Sequence, residues 1–224
     1  MATSYGNPPV VTNGLALYLD AGNSLSYPGS GTVWRDLTGN SNTGNLTNGP
    51  TFNSANAGSI VFDGVDDSVV LPNSPNLSAG SGDFTYNAWV YPIAYDSYAP
   101  LFVTATTNGI WIGKNGSNFV LRSYAVADLL SFGTLPVLNF WTNIAITRIG
   151  TTATLYYNGV SQTTSTTNQN FTQSTTCIAS DGPPGNVFAW YNGKISSTLF
   201  YKGVGLTSDQ ILQNYNATKG RFGL

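Results

Sequence analysis

The chain has 224 residues, 41% hydrophobic and 13% aromatic, but only 8% charged, with a formal net charge of −2; soluble domains usually carry about 25% charge. It has no His, its ten acidic residues are all Asp, and Cys occurs once. These counts exclude a Ser-His-Asp or Cys-His nucleophile, a His- or Cys-rich metal centre and an intrachain disulfide. Eight dispersed cations cannot form the basic footprint of a nucleic-acid-binding surface.

Residues 1–13 read as an N-terminal arm and 14–224 as one domain, since no linker or repeat divides them. The start lacks a basic region followed by an apolar run, so no secretory leader is expected. No stretch reaches the ~20 apolar residues of a membrane helix, so no membrane partner is expected. Leu15–Leu19 is apolar and strand-length, and Asp20 to Pro50 is loop-rich. Ser59–Phe62 and Ser68–Leu71 read as strands, with Asp63-Gly64 as a turn between them. Asp83–Tyr91 alternates with bulk on both faces, which predicts a central strand covered on both sides.

Leu101–Thr104, Ile110–Ile112 and Phe119–Tyr124 continue the pattern, the last two joined through Asn115-Gly116. Trp141–Arg148 and Ala153–Tyr157 form the next hairpin, and Asn158-Gly159 turns the chain again. Alternation allows only one of Tyr156 and Tyr157 to face inward. Val187–Trp190 and Lys194–Tyr201 read as the final strands, around a turn at Asn192-Gly193. One helix is signalled: Thr207 and Gln210 fit a capping box, Leu206 and Ile211 a hydrophobic staple. Ile211, Leu212 and Tyr215 make its apolar stripe, and Gly220 its stop. Many strands with little helix imply two antiparallel sheets packed face to face, an all-β sandwich with one short C-terminal helix.

Several segments then become recognisable in order. They include Trp34-Arg-Asp-Leu-Thr-Gly-Asn40, Ser59-Ile-Val-Phe-Asp-Gly-Val-Asp-Asp67, Asp83-Phe-Thr-Tyr-Asn-Ala-Trp89, Trp141-Thr-Asn-Ile-Ala145 and Leu155-Tyr-Tyr-Asn-Gly159. With these the chain resembles a laminin-G-like domain of the concanavalin A-like lectin/glucanase superfamily, over about Gly14 to Phe222. The resemblance implies a jelly-roll sandwich used for sugar binding, protein adhesion or calcium-dependent recognition. The superfamily's hydrolases resemble it in fold but use a Glu-based strand motif, which this chain lacks, so no enzyme and no catalytic residue is expected. The opening Gly14-Leu-Ala-Leu-Tyr-Leu-Asp20 and the closing Asn214-Tyr-Asn-Ala-Thr-Lys-Gly-Arg-Phe-Gly223 resemble domains of bacteriophage virion proteins.

Candidate sites follow from residue chemistry. Sugars are held by flat aromatic faces and planar polar groups, and the aromatic candidates, expected to be exposed, are Tyr95, Tyr98, Trp111, Tyr124, Trp190 and Tyr191. Trp190 and Tyr191 stand beside the Gly182-Pro-Pro-Gly185 loop. Calcium needs several oxygen ligands; Asp36, Asn40 and Asn42, or Asp63, Asp66 and Asp67, supply them, with turn-forming as the competing role. No other cofactor is expected. The expected partners are other virion proteins, cell-surface glycans and further copies of the chain, at a virion surface or, alternatively, outside a bacterial cell. The apolar termini, Val10-Val11 and Phe222–Leu224, are the expected subunit contacts.

Overall fold

A computed structural model describes residues 9–185 and 187–224; positions 1–8 of the expected arm lie outside the described residues. In chain order the first strands are β1 (Leu15–Asp20), β2 (Val33–Trp34), β3 (Gly44–Thr47), β4 (Thr51–Asn53), β5 (Ser59–Asp63), β6 (Ser68–Leu71), β7 (Phe84–Ala94) and β8 (Tyr98–Thr104). They are followed by β9 (Ile110–Asn115), β10 (Asn118–Ser123), β11 (Ala127–Ser131), β12 (Thr142–Ile149), β13 (Thr152–Tyr157), β14 (Val160–Thr166), β15 (Thr176–Ile178), β16 (Asn192–Lys202) and helix α1 (Ser208–Thr218). No described helix is long and apolar enough to cross a membrane.

The strands form two antiparallel sheets that pack as a sandwich. The first runs β14-β13-β12-β7-β16-β5-β4, with β1 also on β16; the second runs β11-β10-β9-β8-β15-β6-β3-β2. Strand β16 holds two neighbours along one edge: Asn192–Ile195 pairs with β5 and Ser197–Tyr201 with β1. The predicted central strand is β7, flanked by β12 and β16 and buried on both faces along most of its length. Between the sheets an aromatic chain runs Tyr86–Phe102–Phe200–Phe84–Phe171, with centroids 5.1, 5.3, 6.1 and 5.7 Å apart. Each such buried ring contributes roughly 1.5–3 kcal/mol by leaving water. Arg148 is buried among them, its guanidinium 5.2 Å from the Phe84 centroid and 5.1 Å from that of Phe171. It donates to the carbonyls of Gly80, Gly82 and Gln169, at 2.9, 3.0 and 2.6 Å, and so ties two loops to the sandwich.

Helix α1 begins as its sequence predicts. Thr207 Oγ1 accepts the Gln210 amide at 3.4 Å, and Gln210 Oε1 accepts the Thr207 amide at 3.0 Å. Leu206 and Ile211 are buried beneath it, on the outer face of the first sheet. Trp89 points to that face rather than between the sheets. Its indole N–H donates to Thr218 Oγ1 at 2.7 Å, and its ring stacks on Phe222 and Tyr215, with centroids 4.1 and 5.7 Å away. Trp141 is half-buried beside it, against Phe222, and donates to Asn56 Oδ1.

Several expectations are corrected. Asp20–Pro50 contains β2 and β3, strands too short to show alternation. Val187–Trp190 is not a strand; Trp190 makes one isolated bridge, to Ser180. Asn192-Gly193 is no turn but the irregular start of β16, where a Cβ on Gly193 would sit 2.5 Å from the Tyr91 carbonyl. Asn158-Gly159 is a genuine turn, with φ of 52° and 79°. Tyr156 and Tyr157 are both at least partly buried, because α1 covers the second face that alternation assigns to Tyr156. Leu212 is exposed and Asn214 takes its place on the buried face; the chain runs past Gly220 in a 3-10 turn that Gly223 ends. At the termini, Val10 and Val11 pack partly buried under α1 and Phe222 lies on Trp89, while Leu224 stays exposed.

Candidate functional site

The outer face of the second sheet differs from that of the first. Strands β8, β9 and β10 alternate, so that Phe102, Ile112 and Leu121 face the core while Val103, Trp111 and Val120 form a separate buried cluster on the far side. Arg122 lies over the indole of Trp111, 5.6 Å from the centroid. Tyr124 follows two residues later on the same face, half-buried.

A loop rises over this cluster. It leaves β15 at Ala179 and returns at Tyr191, whose amide donates to the Ala179 carbonyl at 2.8 Å. Asp181 closes it. Its amide donates to the Ala189 carbonyl at 3.2 Å, and its Oδ1 accepts the amides of Phe188 and Ala189 at 2.9 and 3.2 Å. Burial pushes the Asp181 carboxyl up from its ordinary value, against those two amides and the nearby Arg122. Tyr124 is also pushed up, chiefly by burial. The loop carries Phe188 87% exposed, although a ring of that size is normally sequestered.

Between loop and sheet lies a cleft of about 290 Å³, lined by Tyr98, Trp111, Arg122, Tyr124, Asp181 and Phe188. Its walls combine flat faces with one fork-shaped donor and one carboxylate. Such a mixture can hold a ring with alternating polar edges and apolar faces. The only carboxylate among its described lining residues, Asp181, is occupied with closing the loop.

The expected aromatic residues divide. Tyr98, Trp111 and Tyr124 meet in this cleft, although Trp111 is buried under Arg122 and forms its floor rather than an exposed face. Trp190, half-buried, borders the next depression along the loop. The expectation that Tyr191 is exposed is corrected: it faces the core, edge-on to Phe62 at 6.5 Å, because it starts the return into β16. Tyr95 is half-buried too, its hydroxyl donating to the Pro136 carbonyl at 2.9 Å.

Arg122, Asp181 and Phe188 were missed in the sequence. Phe188 carried a signal, as a bulky apolar residue in a Gly/Pro-rich loop with no alternation to bury it. Arg122 and Asp181 carried none, since their roles depend on which strand lies beside them.

The oxygen-rich turns also divide. Asp36 accepts the amides of Tyr18, Thr38 and Asn42 and the Thr38 hydroxyl, while Asn40 and Asn42 donate to the Ala16 carbonyl. That turn uses its oxygens to hold its own backbone, far from the six to eight free ligands calcium takes. Asp63, Asp66 and Asp67 bring carboxylate oxygens within 4.8 Å of one another. Asp66 and Asp67 lie in the turn before β6, not on a strand, so neighbours that alternation would separate converge. Burial pushes the Asp67 carboxyl up to about 6; Asp63 and Asp66 add repulsion, and the Asp63 amide opposes it.

Residues 63–212 match the profile of a laminin-G-type family of concanavalin A-like lectins and glucanases. The chain belongs to the concanavalin A-like lectin/glucanases superfamily. No curated protein is significantly similar to this lectin-like chain. Among solved structures, domain 4 of AbnA, a GH43 extracellular arabinanase of Geobacillus stearothermophilus in complex with arabinotriose, superposes with a TM-score of 0.69. It is 18% identical, over 90% of this chain and 98% of that one. The binding domain of Paraclostridial mosquitocidal protein 1 superposes with a TM-score of 0.72 at 15% identity, over 92% of this chain and 52% of that one. Botulinum neurotoxin type C, described as dependent on two ganglioside molecules for entering cells, gives 0.67 at 15%, over 93% and 52%. This lectin-like chain thus spans about half the length of the toxin chains it resembles, and at these identities the likeness is one of fold.

Proposed function

We propose that this domain is a non-enzymatic glycan-binding module and that the cleft beneath the 181–190 loop receives the sugar. Phe188 carries the reading: an aromatic ring 87% exposed, on a loop pinned by Asp181, opposite Tyr98 and Tyr124. Leaving such a ring in water is unfavourable unless a ligand covers it. Arg122 supplies donors at the same wall. Hydrolysis of a glycosidic bond ordinarily needs two carboxyl groups facing each other across the scissile bond; the described lining of the cleft offers Asp181 alone. The arabinotriose and ganglioside named for the two structural relatives agree with a sugar ligand.

The test is a glycan array read with the wild-type domain and Phe188→Ser. The expected result is saccharide binding that falls about tenfold or more in the variant, equivalent to about 1.4 kcal/mol. Binding to no saccharide at all ends the reading, as does turnover of an oligosaccharide.

We place this adhesion on a virion surface, the setting of the bacteriophage domains that the sequence resembles. A net charge of −2 on 224 residues favours association between copies, as suits a protein carried in multiple copies beside other virion proteins. Protein analysis of purified particles tests the placement; a chain found only in bacterial secretions points instead to a bacterial adhesion module. Calcium has its place in this reading at the Asp63–Asp67 turn. A higher Tm in millimolar calcium than in chelator supports that, and an unchanged Tm removes it.

A further inference from the structure

Two more depressions flank the same loop, and with the glycan reading of the cleft as premise they define the class of ligand. The first, of about 460 Å³, shares Tyr98, Phe188 and Ala189 with the cleft and is bounded beyond them by Val65, Asp96 and Ser97. The second, of about 290 Å³, shares Trp190 with the first and is bounded by Asn48, Asp66, Ser68 and Pro184. The three spaces follow one another around the loop and share wall residues, a stepped groove from Arg122 and Tyr124 at one end to Trp190 and Asp66 at the other. Aromatic side chains stand at both junctions, Tyr98 and Phe188 at the first and Trp190 at the second. Each space is near or above the lower bound of roughly 300 Å³ for small-molecule sites, so none is too small for a sugar ring.

Charge narrows the class further. The cleft end holds one cation and one carboxylate, Arg122 and Asp181. No cation lines the other two spaces among the described residues, whereas Asp96 and Asp66 do, with Asp63 and Asp67 clustered beside Asp66. Lys114 lies behind this wall, buried and donating to the carbonyls of Asp96 and Ser97. An anionic chain laid along the groove would meet several like charges at short range. We infer that the groove takes an interior segment of a neutral linear glycan, about three sugar units long, in preference to a single terminal sugar or a polyanionic glycan.

Calorimetric titration of the full chain tests this, with gluco-, xylo- and arabino-oligosaccharides of one to six units, and with polygalacturonate and heparin as anionic probes. For at least one neutral series, affinity should rise about tenfold or more from one unit to three, then level off. Trp190→Ala should remove the gain in affinity with length. Ser97→Trp, on the exposed rim of the middle space, should do the same and serves if Trp190→Ala does not fold. Full affinity for a monosaccharide, or stronger binding of the anionic probes, overturns the inference and leaves the glycan reading standing. Binding of no saccharide overturns both.

Discussion

On the outer face of the first sheet, Trp89 is covered by Tyr215 and Phe222, and its N–H is satisfied by Thr218. On the outer face of the second, Trp111 is covered by Arg122 and by a loop that leaves an open cleft. Both tryptophans come from strands buried on both sides, and both are nearly inaccessible. What differs is the cover. The first face is closed by contiguous chain, a capped helix and a 3-10 turn whose apolar residues match it. The second is roofed by a loop held by one carboxylate, with its largest ring turned outward. An outer face sealed by packing contributes stability; one left partly open offers the surface proposed for binding.

Removing the two tryptophans tests that contrast most strongly. Trp89→Ala and Trp111→Ala should each cost about 3–5 kcal/mol in a urea melt, the usual range for emptying a buried aromatic site. Only Trp111→Ala should also alter saccharide binding; equal effects of both on binding would dissolve the contrast. A smaller effect sharpens the account of the sealed face. Thr207→Ala removes one half of the capping box and should cost about 1 kcal/mol, with no change in binding. On the open face, Phe188→Ser should change stability by less than about 0.5 kcal/mol, because its ring contributes little packing. A larger loss would mean that the loop is structural rather than recognitive.

Cys177 gives the subtlest check. It is buried in β15, directly before the loop, and burial pushes its thiol up to about 12. A thiol raised in the folded state keeps its proton there, so its contribution to stability is complete below the unfolded value near 9 and is lost as pH rises toward 12. At pH 8 a thiol reagent should therefore label the native protein far more slowly than the urea-unfolded chain, since only the thiolate reacts. Rapid native labelling would show that the second sheet opens at β15.

Much of the fold was legible in the sequence because its signals are local. Alternation marked β7, β12 and β13, Asn-Gly marked the hairpins after β9 and β13, and Thr207 with Gln210 marked the start of α1. Where a signal was weak the reading failed. Strand β14 is nearly all Ser, Thr and Gln and lies at a sheet edge, where one face needs no apolar residues. Asn192-Gly193 carries turn chemistry, yet the close approach of the Tyr91 carbonyl uses its glycine inside β16. Tyr191 looked like a surface aromatic beside a loop, and only the packing of β16 turns it inward.

By themselves, composition and spacing determined a sparsely charged, His-free sandwich of short antiparallel strands closed by one capped helix, since these depend on residues a few positions apart. The cleft was decided by tertiary structure. It requires Tyr98, Arg122 and Phe188, far apart in the chain, to meet because β15 inserts between β6 and β8 and delivers the loop beside the β8–β10 face. That pairing is long-range, and the chemistry of the site depends on it.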